Sequence, residues 1–300
     1  MTDMKLLRQL RRHSALTLVE LLIYLGISAM ISGVIFSFLT GASLLYAKNM
    51  SIVHSHTNLR SVLDRLTNNL QQAYSLPVLI NTSGASAAAP AAGLYYDRYV
   101  GDPYLVTNAS GTGLPATTTT LTLTCSTVAL ASPPAPKVGD AVLISDPNGN
   151  VRARISAVTA GTYDATNQRQ PYTVTLAAAL GTAISWSAPE VRVASLLHRE
   201  AFVVVPGATQ SEFRFYPNFE PVPVMTNPNN YTVISNQISS LAGETTPFSL
   251  DMVGTDRIVR ASLFARSTEF STWLTNKQAN NFNTFVRLNA VLASRLRPKQ

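Results

Sequence analysis

The chain has 300 residues, enough for one large or two small domains, with 46% apolar and only 13% charged residues. Its single cysteine, Cys125, excludes an internal disulfide and any multi-cysteine zinc site. The formal charge of +7 includes Lys5, Arg8, Arg11 and Arg12 against Asp3, so residues beyond Ala15 carry about +4, modest for a strongly basic nucleic-acid binder.

From Leu16 to Tyr46 runs an apolar stretch of 31 residues with one charge, Glu20. As a helix it would be about 46 Å long, and a bilayer core needs about 20 apolar residues. The stretch predicts a transmembrane segment over 16–46, and it is too long for the apolar region of a secretory signal peptide. The positive charges precede it, with only Lys48 just after. That bias predicts a single-pass protein with its N-terminus in the cytoplasm and its ectodomain outside. Glu20 stands out, because an ionised carboxylate in hydrocarbon costs several kcal/mol unless it is paired or protonated.

The stretch Ala15-Leu16-Thr17-Leu18-Val19-Glu20-Leu21 resembles the cleavage and methylation motif of type IV prepilins and type II secretion pseudopilins. In that family a short basic leader ends in a small residue. An apolar residue follows, then Thr, Leu, an aliphatic residue and Glu. The resemblance implies removal of a 1–15 leader by a prepilin peptidase cutting between Ala15 and Leu16, and N-methylation of Leu16 by the same enzyme. It implies a role for Glu20 in assembly, with other pilins or pseudopilins and an inner-membrane assembly platform as partners. The implied place is the bacterial inner membrane with a periplasmic ectodomain, then a type IV pilus or a type II secretion pseudopilus. Two residues depart from the usual pattern: Ala15 stands for Gly and Leu16 for Phe. Ser37 also sits where the family often has proline. The match covers the leader and first helix; the order of elements further on resembles, more loosely, larger minor pilins of the PilW type and J-type pseudopilins.

Beyond Tyr46, Leu59, Val62, Leu63, Leu66, Leu70 and Ala73 recur at helical spacing, with Arg60, Asp64, Arg65, Asn68 and Gln71 between them. This predicts one long pilin-like helix over 16–75 whose second half carries a core-facing stripe and which stops before Pro77. His54 and His56 are two apart, do not share a helix face, and read as solvated. Residues 76–116, with the low-complexity run at 81–93, read as a loop region.

From Thr117 the pattern is β-rich. Leu121 and Leu123 alternate with threonines; two strands flank the turn Asp146-Pro147-Asn148-Gly149. Val151, Ala153, Ile155 and Ala157 share a face, as do Tyr172, Val174 and Leu176. Residues 117–195 are expected to form an inserted β-rich subdomain, a small barrel or sandwich, and 196–300 a C-terminal antiparallel sheet. In the latter Phe213 and Phe215, the Val259–Ala265 alternation, and Val286, Leu288, Ala290 and Leu292 point inward. Arg295, Arg297 and Lys299 read as a frayed tail. The expected fold class is α+β: a long N-terminal transmembrane and amphipathic helix packed on an antiparallel sheet, with the inserted subdomain.

No GxSxG, HExxH, CxxC or Walker-type loop occurs. His198, followed by Arg199 and Glu200, is a conceivable base without a nucleophile, and Cys125 reads as a packed strand residue. No enzyme activity, cofactor or metal is expected; the Asp146–Asn150 turn lacks the later Glu of a calcium loop. Arg152, Arg154, Arg169, Arg192, Arg260, Arg266 and Arg287 could line a phosphate-binding stripe for DNA, but solvated strand faces are the preferred reading. The functional expectation is a minor pilin or pseudopilin subunit, with a membrane-anchored β-domain binding protein as the alternative.

Overall fold

The computed structural model describes residues 18–100, 104–107, 113–126, 135–147, 149–186, 192–208, 210–220, 222–241, 243–253, 256–266 and 285–293. Two compact bodies divide at Val53/His54. In the first lies the opening part of helix α1 (Leu18–Gln71, 54 residues). It is long and apolar enough to cross a membrane, and its most apolar stretch has no buried residue. The helix runs unbroken through Gly26, Gly33, Ser37 and Gly41. Inside the apolar stretch Thr40 and Ser43 donate their hydroxyls to the carbonyls of Phe36 and Thr40, so these polar groups are satisfied without outside help.

The second body begins with the remainder of α1 and contains every strand. Leu59, Val62, Leu66 and Leu70 are buried, as their spacing predicts, Leu63 is half-buried, and His54 and His56 are exposed; the helix ends at Gln71, short of the expected 75, so half-buried Ala73 lies just beyond it. The helix packs with a large antiparallel sheet: the Arg65 guanidinium lies 5.4 Å from the Phe215 ring centre, and the Asn58 amide donates to Gln237 at 3.0 Å. The fold is therefore α+β.

Segment 76–116, expected as loop, carries four strands: β1 (Val78–Ile80), β2 (Gly93–Tyr99), β3 (Tyr104–Thr107) and β4 (Gly113–Leu114). The later strands are β5 (Thr120–Ser126), β6 (Ala141–Ile144), β7 (Val151–Ala160), β8 (Arg169–Leu176), β9 (Ile184–Ser185), β10 (Arg192–Val205), β11 (Gln210–Tyr216), β12 (Thr232–Ser239), β13 (Phe248–Val253), β14 (Asp256–Arg266) and β15 (Phe285–Ala293). Thirteen of these fifteen form one sheet, with β4 and β9 paired separately.

Strand β10 is the spine of the sheet, and the expected division at 195/196 falls inside it. Its first half pairs with β3 on one side and β6 on the other; its second half pairs with β2 and β11. Because β3 continues to β5, β8, β7 and β6, the path β10-β3-β5-β8-β7-β6 closes on itself as a six-stranded antiparallel barrel. Closure gives each of these strands a paired neighbour on both sides. Leu121, Leu123, Cys125, Val142, Ile144, Ile155, Val174, Leu176, Trp186 and Leu196 fill its interior. The alternation in β7 holds only as far as Ile155. A register shift between Ile155 and Ala157 leaves Ala157 exposed and lets Val158 pack instead, because a bulge inserts one unpaired residue and swaps the inward positions.

Beyond the barrel the sheet continues through β11, β12, β14 and β13, with β15 paired to β14. Phe213, Val259, Ala261, Leu263, Ala265 and Val286 are buried, and Phe202 stacks on Phe213 with ring centres 5.6 Å apart. Leu288 and Ala290 are half-buried, and the side chain of Leu292 lies outside the described residues. Gly93 in β2 is a position only glycine fits: an added Cβ would sit 2.5 Å from the Phe202 carbonyl oxygen.

Candidate functional site

The residues of the amino-terminal motif divide between two categories. Ala15, Leu16 and Thr17, with the 1–15 leader, lie outside the described residues, as does the 294–300 tail. Leu18, Val19, Glu20 and Leu21 open α1, all exposed, with Glu20 the acid of its first turn. The orphan amides and dipole at a helix start favour a carboxylate there, by about 0.3–1 kcal/mol in exposed settings. That local stabilisation is small beside the cost of immersing the charge in hydrocarbon.

A second concentration of charge lies where β10 leaves the barrel and enters the main sheet. Cross-strand register sets it: β2 residues Asp97 and Arg98 lie opposite Arg199 and His198. Successive side chains point to opposite faces, so Asp97 and Arg199 share one face and Arg98, His198 and Glu200 the other. Asp97 is buried, and three arginines converge on it. Arg199 Nε and Arg154 Nη2 each donate to Oδ1 at 3.1 Å, and Arg152 Nη2 donates to Oδ2. Arg152 and Arg154 come from β7 in the barrel, Arg199 from the shared strand. Arg199 also pairs with Glu220 at 2.6 Å and lies over the Tyr95 ring. The Asp97 carbonyl accepts from the Tyr74 amide at 2.6 Å, tying the exit of α1 to the same residue.

On the other face Glu200 is buried and accepts from Arg98 Nε at 2.7 Å and from the Tyr96 hydroxyl at 2.8 Å. Burial pushes the Tyr96 phenol far above its ordinary value, and the Glu200 charge adds to the effect. The sign follows: the folded protein holds this proton where an unfolded chain, with an ordinary tyrosine near pH 10, releases it. Stability is therefore full below about pH 10 and falls as pH rises above it. Tyr96→Phe is expected to cost about 1–2 kcal/mol at neutral pH, because Glu200 loses a donor, yet to flatten the alkaline decline. Urea midpoints of both proteins between pH 7 and 11 check this.

His198 is buried with its Nδ1 against Asp140 Oδ1. The second Asp140 oxygen accepts from the Lys137 backbone amide at 2.8 Å. A pocket of about 390 Å³ opens beside these groups, lined by Arg98, Tyr99, Lys137, His198, Glu200 and Asn218 among others. Sequence reasoning singled out His198, Arg199 and Glu200 but missed Asp97, Arg98 and Asp140.

The arginines considered for a phosphate stripe mostly have partners within the fold. Arg152 and Arg154 turn onto Asp97, Arg192 lies 3.6 Å from Asp146, and Arg260 pairs with Asp251. Arg287 lies over Phe264, bonded to Ser262 and Asn289. Arg169 is exposed, and the side chain of Arg266 lies outside the described residues. The Asp146–Gly149 turn forms as expected, with the Gly149 amide donating to the Asp146 carbonyl at 3.0 Å. Cys125 is buried in the barrel, and burial raises its thiol pKa, which disfavours the reactive thiolate. Among the described residues no group of three or more His, Cys, Asp or Glu is placed to hold a metal ion.

No protein-family model, no curated protein and no solved structure matches this chain.

Proposed function

We propose that this chain is a minor pilin or pseudopilin. It inserts with its N-terminus in the cytoplasm and its ectodomain in the periplasm, is cleaved between Ala15 and Leu16, is N-methylated on Leu16, and joins a type IV pilus or type II secretion pseudopilus. One observation carries the reading: a single 54-residue helix whose first part is apolar, unburied and marked by one acid in its first turn. Its second part presents a buried stripe to an antiparallel sheet. Such an element serves twice, as an anchor in lipid and as a rod packed among other rods.

Cleavage gives Glu20 its physical role. It creates an α-amine on Leu16, positive near neutral pH. In low dielectric an isolated amine and an isolated carboxylate are each costly, and pairing them offsets both costs. The amine of an incoming subunit meeting Glu20 of a neighbour fixes register along the filament axis. The six-stranded barrel is then an inserted subdomain displayed by the main sheet, and its bulk suits a tip or minor position. Partners on this reading are the prepilin peptidase, other pilins or pseudopilins, the assembly platform and membrane lipid. Deleting the peptidase is expected to leave a full-length, membrane-bound chain that is lost from sheared filament fractions. Unchanged recovery in those fractions would sink the proposal.

A second reading, a single-pass anchored binding protein, is favoured by the pocket beside His198. On that reading α1 is only an anchor, and peptidase deletion changes neither chain length nor binding.

A further inference from the structure

Around the pocket at the barrel–sheet junction each acid oxygen already accepts a hydrogen bond, while part of the cationic donor capacity is left over. Glu200 accepts from Arg98 and Tyr96, one bond to each oxygen, and Asp140 likewise from His198 and the Lys137 amide. Arg98 uses Nε on Glu200 and Nη1 on Gln72, leaving Nη2 without a partner among the described residues. The His198 ring is held through Nδ1, so Nε2 is its remaining polar atom. The Lys137 ammonium is exposed and, like the Asn218 amide, has no side-chain partner among the described residues. Tyr99, Val100 and Pro217 supply an apolar wall to the same pocket. Its volume of about 390 Å³ exceeds what a bare inorganic anion needs and lies at the lower end of small-molecule sites, which run to roughly 300–1,000 Å³.

We propose that this pocket binds a small organic acid, its carboxylate on Lys137 and Arg98 Nη2 and its apolar body against Tyr99, Val100 and Pro217. The two cationic side chains with unspent capacity, Lys137 and Arg98, are donors only, so a carboxylate gains charge-assisted bonds that a neutral or cationic ligand does not. The rigid part of the site is already paid for by the fold: Asp140 fixes the His198 ring and Glu200 fixes Arg98, so a ligand immobilises little beyond the Lys137 side chain. The proposal is independent of how the amino terminus is processed.

Benzoate tests the site as carboxylate plus apolar body, inorganic phosphate as anion without body, and benzamidine as the same body with a positive charge. The probes are titrated into the full-length protein in detergent while the Val100 methyl resonances are followed. Saturable benzoate binding is expected, tighter than phosphate, with no benzamidine response. Lys137→Met, at an exposed side chain, is expected to weaken benzoate about tenfold, the loss of one charge-assisted bond, with the thermal midpoint unchanged. Equal binding of benzamidine, phosphate as tight as benzoate, or benzoate binding indifferent to Lys137→Met would each overturn the proposal.

Discussion

Asp97→Ala is expected to lower the stability of the folded ectodomain by about 3 kcal/mol, the low end of the range for stripping one partner from a buried ion pair. The carboxylate is 2% exposed, while its arginine partners are 17–38% exposed and keep some water contact, which places the effect at that low end. Removing it leaves three guanidinium groups converging on nothing, with only Glu220 to balance Arg199. The consequence spreads because Asp97 touches three parts of the fold: β7 of the barrel, the spine strand β10, and the exit of α1 at Tyr74. For a domain of this size that loss corresponds to a drop of about 6–12 °C in Tm. Asp97→Asn keeps acceptor oxygen but loses charge, so it is expected to fall between wild type and alanine. A midpoint for Asp97→Ala within about 0.5 kcal/mol of wild type, the usual range for surface changes, would show that the cluster is ornamental.

Glu20→Ala carries the other large expectation. On the proposed reading the variant is expected to insert in the membrane and be cleaved, while its recovery in filaments falls more than tenfold. That factor corresponds to about 1.4 kcal/mol, a small part of what an unpaired amine costs in hydrocarbon. Glu20→Gln, nearly isosteric, is expected to match alanine, because charge rather than shape makes the pair. Quantitative immunoblots of membrane and sheared fractions measure both steps, and normal incorporation of either variant would refute the role of Glu20.

What the sequence made legible and what it hid follow from the range of the interactions. The helix stripe at Leu59, Val62, Leu66 and Leu70 and the strand alternations at Leu121–Cys125 and Val259–Ala265 are local periodicities, and each matches the burial found. Strand β2, Gly-Leu-Tyr-Tyr-Asp-Arg-Tyr, has no two-residue period because both of its faces are covered, and one of them carries a buried acid. Nothing near Asp97 in sequence announces that burial: Arg152, Arg154 and Arg199 lie 55, 57 and 102 residues away. Arg-Val-Ala-Ser-Leu-Leu-His-Arg-Glu resembles a surface segment for the same reason. Its charges are satisfied by residues of β2 and by Asp140, Asp146 and Glu220, so one continuous strand crosses the 195/196 boundary that the pattern suggests. Barrel closure rests on β10 pairing with both β3 and β6, a non-local event that strand patterns do not encode. The junction pocket inherits this blindness, since its lining comes from β2, β10, the approach to β6 and the exit of β11.

The measurement closest to the central claim is the intact mass of the protein purified from a host that carries a prepilin peptidase. The account predicts a chain beginning at Leu16, heavier by one methyl group on its α-amine, and an unprocessed mass when the peptidase is deleted. A chain that still begins at Met1 in the presence of an active peptidase would contradict it.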